Sequence, residues 1–140
     1  MTITTLNRDE AGNNDNTDRE TGLSMPRLML QMEGLAILVA ATATYWLTDA
    51  GAWWLYFVLL LVPDVFMLGY LLNTRAGAII YNIGHTLIVA LAFTGVAFAA
   101  GWEIGIAVVL IWLAHIGMDR TAGYGLKYGA GFKDTHLARV

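Results

Sequence analysis

After a polar stretch that ends near residue 24, the chain runs through four long apolar segments. They extend from about Leu28 to Leu47, from Ala52 to Leu72, from Gly77 to Ala100, and from about Trp102 to Gly117. Most match the ~20 residues with which a helix crosses a hydrocarbon core. None shows the alternation and turn spacing of barrel strands, and lipid offers backbone groups no other partners, so each is predicted to be a helix. The expected fold is all-α: a polytopic integral membrane protein built as a four-transmembrane-helix bundle. The fourth segment is the shortest and ends in a polar stretch.

Residues 1–24 are a different material. Asn13, Asn14, Asp15, Asn16, Thr17, Asp18, Arg19 and Glu20 bring almost nothing apolar to bury, so this tail is expected to stay disordered. No basic region leads into an apolar stretch there, so it does not read as a signal peptide. The predicted division is a polar tail over 1–24, a transmembrane domain over 25–120, and a cytoplasmic tail over 121–140 that carries glycines and lysines.

Composition sharpens this picture. The 140 residues are 57% hydrophobic and 14% charged, with net charge −3 and no cysteine. Soluble domains run nearer ~45–50% apolar and ~25% charged, so an ordinary soluble enzyme is excluded. Disulfides, thiolate metal sites and cysteine nucleophiles are excluded as well. The acidic balance gives no reason to expect nucleic acid as a partner. The cations Arg8, Arg19, Arg27, Arg75, Arg120, Lys127, Lys133 and Arg139 avoid the links near 49–51 and 101–102. The positive-inside rule then puts both termini in the cytoplasm, and Trp46, Trp53, Trp54 and Trp102 at the outer interface.

Ionisable groups inside membrane helices are costly and mark functional sites by default. Here they are Glu33, Asp64, His85, His115 and Asp119, with Gln31 and Asn82 adding neutral polarity. At ~1.5 Å rise per residue, all five ionisable groups fall in the cytoplasmic half of the bundle, although alternate helices run in opposite directions. His115 and Asp119 are i,i+4 and share a helix face; Asn82 and His85 are i,i+3. Pro63, just before Asp64, removes a backbone donor and is expected to kink its helix, freeing carbonyls near the site.

Imidazoles and carboxylates in a partly dehydrated pocket suit one divalent cation, Zn²⁺, Mn²⁺ or Fe²⁺, with an open position for water. The predicted ligands are Asp64, His85, His115 and Asp119, with Glu33 as a fifth ligand or the general base. The reaction would be hydrolysis of a membrane-soluble or amphiphilic substrate. Against this stands a structural reading, because a single intramembrane histidine is ordinarily a helix–helix hydrogen-bond partner. Three alternatives therefore stay open: a non-enzymatic membrane subunit, a small-ligand binder (haem between His85 and His115 included), and proton or ion handling.

Weaker signals complete the inventory. Ala36, Ala40 and Thr44 form a small-residue stripe suited to close helix packing inside the bundle or to a homo-oligomer contact. The glycines around Lys127 lack the Gly-Lys-Ser/Thr ending of a phosphate loop, so no nucleotide is assigned. Lys127, Lys133 and Arg139 suit anionic headgroups. His136 reads as a solvated surface residue, or else as one that folds back over the site.

Several runs resemble a bacterial family known only as domain-of-unknown-function 4260, small four-helix membrane proteins. They are Glu33-Gly34-Leu35, Pro63-Asp64 through Tyr70, Tyr81-Asn82 with His85-Thr86, Trp112 through Arg120, Gly123 through Tyr128, and Gly131 through Leu137. The resemblance spans about residues 27–140 and implies the fold and a place in the bacterial inner membrane, but no activity. A fainter likeness is to the DNA-damage-inducible inner-membrane proteins that are metal-dependent hydrolases. It rests on Pro63-Asp64, Gly84-His85-Thr86, His115 through Asp119, and Gly123. Val65 and Phe66 stand where that pattern carries an acidic residue and a histidine, and Ile80 where it carries another histidine. That smaller ligand set implies one metal at most.

Overall fold

Where the polar chain gives way to apolar residues, Ser24 is extended and its hydroxyl accepts from the Arg27 N–H at 3.3 Å. It thereby caps helix α1, Met25–Leu47, whose first turn also holds Pro26. Proline there forfeits a donor that no helix uses. The computed structural model describes residues 24–129 and 135–138. The predicted N-terminal tail through residue 23 lies outside the described residues, as do 130–134 and 139–140 of the C-terminal segment.

Helix α2, Trp53–Leu60, runs into a ten-residue 3-10 stretch, Val62–Leu71. Helix α3, Thr74–His85, starts under an Asn73 cap whose side chain accepts from the Ala76 N–H at 2.8 Å. Helix α4, Leu87–Ala99, follows after a 44° bend at Thr86, and α5, Glu103–Thr121, completes the bundle. A short 3-10 turn, His136–Ala138, lies beyond it. The expected count of four helices is thus corrected: the described residues form five α-helices, because the third apolar segment divides at Thr86, while the second passes at Pro63, where a kink is expected, from α-helix into the 3-10 stretch. Three spans, Met25–Leu47, Trp53–Leu71 and Glu103–Thr121, are long and apolar enough to cross a membrane, and α3 with α4 makes a fourth if counted as one bent span. Their outward faces are apolar, with Leu47, Leu71, Ile88 and Phe98 each more than three-quarters exposed. Surfaces of that kind belong against another apolar phase.

Helix α5 is the axis of the packing. It buries Ala107, Ile111 and Ala114 with Ala41, Tyr45 and Tyr56 on one side, and Val109 and Ile116 with Ala90 on another. Helix α1 crosses it at a glycine contact: a Cβ added to Gly117 would lie 2.6 Å from the Leu38 nitrogen and 2.7 Å from the Gly34 oxygen. The α1 contact face is therefore Gly34, Ala41 and Tyr45. Ala36, Ala40 and Thr44 are exposed, so the predicted small-residue stripe looks outward; the close approach is made about half a turn away, by the glycine. The 3-10 stretch lies on α3 in the same manner, with the Phe66 ring over Gly84 and the Tyr70 ring over Gly77.

Candidate metal centre

Both breaks in the bundle supply the centre. Pro63 offers no N–H to the turn before it, and the Asp64 N–H turns instead to the Leu61 carbonyl at 3.2 Å. The Leu60 carbonyl is left for a side chain, and His115 Nδ1 meets it at 2.7 Å. After His85 the chain straightens at Thr86, with φ −89 and ψ 133. A straightened residue ends the helical ladder, and the Trp112 indole N–H donates to the Gly84 carbonyl at 2.6 Å. Buried carbonyls released by a helix break need such partners.

His85 and His115 are both buried and meet edge to face, with Nε2 atoms 3.1 Å apart. His85 Nδ1 lies 2.8 Å from the Tyr81 carbonyl. Because a carbonyl only accepts, each Nδ1 facing one carries the proton, and a ring in its neutral form turns an Nε2 lone pair inward. Two such lone pairs at 3.1 Å repel unless a shared proton or a metal cation lies with them. Two carboxylate oxygens approach the same point: Asp64 Oδ1 is 4.0 Å from His85 Nε2 and 3.7 Å from His115 Nε2, and Asp119 Oδ2 is 3.7 and 3.9 Å from them. The Asp64, His85 and His115 ligand atoms all lie within 4.8 Å of one another and could hold a metal ion. With metal–nitrogen and metal–oxygen bonds of ~2.0–2.2 Å, a small inward shift of Asp64 would complete this set of three; Asp119, expected as a fourth ligand, lies beside the group rather than in it. The Asp64 side chain, 43% exposed, is the open side of the group.

An outer layer orients these ligands. The Tyr81 hydroxyl donates to Asp119 Oδ2 at 2.8 Å, and its ring stacks on His85 at 3.7 Å between centroids. Fixed ring tautomers and hydrogen-bonded carboxylates are what metal ligands need behind them. Over this layer folds the segment after α5. Asn82 clamps it by donating to the Lys127 carbonyl at 2.8 Å and accepting from the Lys127 N–H at 2.7 Å. Lys127 also bridges to Thr135, and His136 Nδ1 accepts from the Leu126 N–H at 2.9 Å. The Lys127 ammonium lies 4.2 Å from the Tyr81 ring centroid and 5.3 Å from that of Tyr70. Burial pushes this ammonium below its ordinary value, and the Asp119 and Asp64 carboxylates act in the opposite sense. Asn82→Ala should release the cap, raising amide exchange and protease cleavage over residues 124–129 while the spans keep their protection. Two lost hydrogen bonds, at roughly 0.5–1.5 kcal/mol each, set the scale.

The structure brings together Asp64, His85, His115 and Asp119, four of the predicted residues. It does not bring Glu33 to them. That residue is exposed on α1, with Arg120 as its electrostatic partner. Gln31 is likewise spent elsewhere, donating to the Thr121 carbonyl at 3.3 Å. Of the two readings of His136, the structure favours folding back, with its ring bonded into the cap. Lys127 is buried rather than spread on a surface. A haem between the two histidines does not suit nitrogens 3.1 Å apart with carboxylates beside them. The sequence pattern does not mark Tyr81 or Trp112, nor which side chain takes the carbonyl that Pro63 frees; Tyr81 stands one turn before His85 on the same helix face.

A family model described as Domain of unknown function (DUF4260) matches residues 27–140. No curated protein and no solved structure matches the chain.

Proposed function

The chain belongs to the DUF4260 family, whose description carries no activity, and from the geometry we propose that it is a membrane-embedded, divalent-metal-dependent hydrolase. One observation carries this reading: two buried imidazoles, each with its Nδ1 on a main-chain carbonyl, bring their Nε2 atoms to 3.1 Å of each other, with two carboxylate oxygens alongside. Asp64, His85 and His115 would hold the ion, leaving positions open to water and substrate. When bound, the ion would polarise an ester or phosphoester and lower the pKa of water.

The chain's own residues do the rest. Asp119, oriented by the Tyr81 hydroxyl, takes the proton of the attacking water, the role first expected of Glu33. The water oxygen bonds to the acyl or phosphoryl centre, the ester bond breaks, and the proton passes from Asp119 to the departing alkoxide. Beside Asp119, Tyr81, Tyr124 and Gly125 line a cavity of about 10 Å³, room for one water. An apolar groove of about 790 Å³ between α1 and α2 runs from Trp46 and Trp53 to Leu60, the residue that anchors His115. It suits the acyl part of an amphiphilic substrate. The distribution of cations supports a site facing the cytoplasm of a bacterial inner membrane, with both termini on that side.

Elemental analysis tests the reading, on protein purified in mild detergent without chelator or affinity-metal resin. About one equivalent of Zn, Mn or Fe per folded chain is expected. Folded protein that stays metal-free after incubation with all three ions would overturn it, and would leave a structural histidine–aspartate network holding one shared proton.

A further inference from the structure

Toward the other end of the bundle from the candidate centre, the turn between α1 and α2 holds a cavity that the proposed chemistry does not use. It measures about 190 Å³ and is lined by Tyr45, Trp46, Asp49, Gly51, Ala52 and Trp53. Tyr45, Trp46 and Trp53 also line the apolar groove between α1 and α2, so the two spaces adjoin. At ~1.5 Å rise per residue, the groove descends ~12 Å along α1 from Trp46 to Leu38. That is most of the ~15 Å that one leaflet takes of a ~30 Å hydrocarbon core.

Charge and shape decide what this pair of spaces takes. The Ala50 N–H on the Tyr45 carbonyl and the Asp49 N–H on the Trp46 carbonyl close the end of α1, with Asp49 in the left-handed region at φ 49. That place ordinarily goes to glycine or asparagine, and the negative end of the helix dipole repels a carboxylate. The cations among the described residues all lie at the opposite end. Arg120 packs on Gly34, and the segment after it, with Gly123 beside Arg27 and Gly129 beside Arg75, carries Lys127. Two exposed indoles stand with the carboxylate, Trp46 at 71% and Trp53 at 63%, and aromatic faces attract a cation. The Tyr45 hydroxyl donates to the Ala52 carbonyl at 3.2 Å, which leaves its oxygen able to accept. Gly51 keeps that oxygen uncovered, since a Cβ there would lie 2.8 Å from it. A primary ammonium donates to both acceptors, whereas a quaternary one donates to neither. We propose that this turn is a headgroup site for phosphatidylethanolamine, with the ammonium at Asp49 between Trp46 and Trp53 and an acyl chain in the groove. Seated this way, the ester bonds stay at the Trp46 end, so the lipid is a resident ligand; the acyl part of a substrate would displace its chain. The inference rests on the membrane reading above and not on the metal.

Native mass spectrometry of the full chain in detergent tests it, by titration with phosphatidylethanolamine, phosphatidylcholine and phosphatidylglycerol of one acyl composition. The parent should bind the first lipid at least ~10-fold more tightly than phosphatidylglycerol, the worth of one charge-assisted hydrogen bond. Asp49→Asn, which suits the left-handed backbone, should abolish that preference. Trp46→Leu, at an exposed position, should weaken it ~3-fold, as expected for one cation–π contact. Glu103→Gln is the charge control: Ala107 packs with Tyr45, which puts Glu103 at this end of the bundle but outside the cavity, and the preference should survive. A parent without the preference, a folded Asp49→Asn or Trp46→Leu chain that keeps all of it, or an equal loss in Glu103→Gln overturns the site. Phosphatidylcholine binding as tightly as phosphatidylethanolamine overturns the choice of a primary ammonium. A chain that is monodisperse without detergent or lipid removes the membrane reading itself, and this inference with it.

Discussion

Gly117→Leu is expected to prevent the chain from reaching a folded, monodisperse state in detergent. The atoms that a side chain at Gly117 would strike are the Leu38 nitrogen and the Gly34 oxygen, both main-chain atoms of α1. No rotamer change can withdraw them, so α1 and α5 would have to separate along their whole crossing. Overpacking a core typically costs ~1–3 kcal/mol even where side chains can yield, and here the loss should exceed that range; Gly117→Ala should fall within it. Gly95, within α4, is the control, since an added Cβ there meets nothing within 4 Å, and Gly95→Ala should be no less stable than the parent, with a gain of up to ~1 kcal/mol from helix propensity. Thermal unfolding followed by size-exclusion chromatography in one detergent reads all three. A Gly117→Leu chain that melts with the parent would mean that the two helices do not meet this closely.

His115→Asn is expected to leave the fold standing and to remove the metal. An asparagine amide nitrogen can donate to the Leu60 carbonyl from about the place of Nδ1, so that carbonyl stays paired, while no Nε2 remains to bind an ion. Metal affinity should drop by ~100-fold or more, since loss of a supporting group alone costs 10–100-fold. His115→Ala removes the donor too, and should cost a further ~1–3 kcal/mol for the orphaned carbonyl. The decisive comparison is melting temperature with excess zinc against excess chelator. The parent should gain ~2.7 kcal/mol at a hundredfold excess over Kd, and His115→Asn should gain almost nothing. If zinc moves neither protein, and His115→Asn is the less stable in chelator, the histidines are structural.

The two experiments probe different levels of one arrangement. The glycine crossing sets the distance of α1 from α5, and α5 carries both His115 and Asp119. The centre needs further elements besides: Asp64 from the 3-10 stretch and His85 from the end of α3.

Much of this was legible along the chain, because bilayer-scale apolar runs and their polar exceptions are local properties. The spans, the all-α class and the gathering of Asp64, His85, His115 and Asp119 follow from hydrophobic length, helical rise and the cost of buried charge. The freeing of a carbonyl by Pro63 was equally local, since proline carries its missing donor wherever it sits. What the chain alone did not decide is rotation about a helix axis, which depends on what a neighbour offers. Glu33 lies at the right depth but is exposed outside the cluster, with Arg120 as its electrostatic partner, and Ala36 and Ala40 lie outside the packed face because Gly34 lets α1 turn its other side to α5. Nor did the sequence reveal that Lys127 would be buried, since that follows from two hydrogen bonds to Asn82, 45 residues earlier. Depth is set by counting residues within one helix, whereas facing and capping are set by contacts between elements, and only the tertiary structure supplies those.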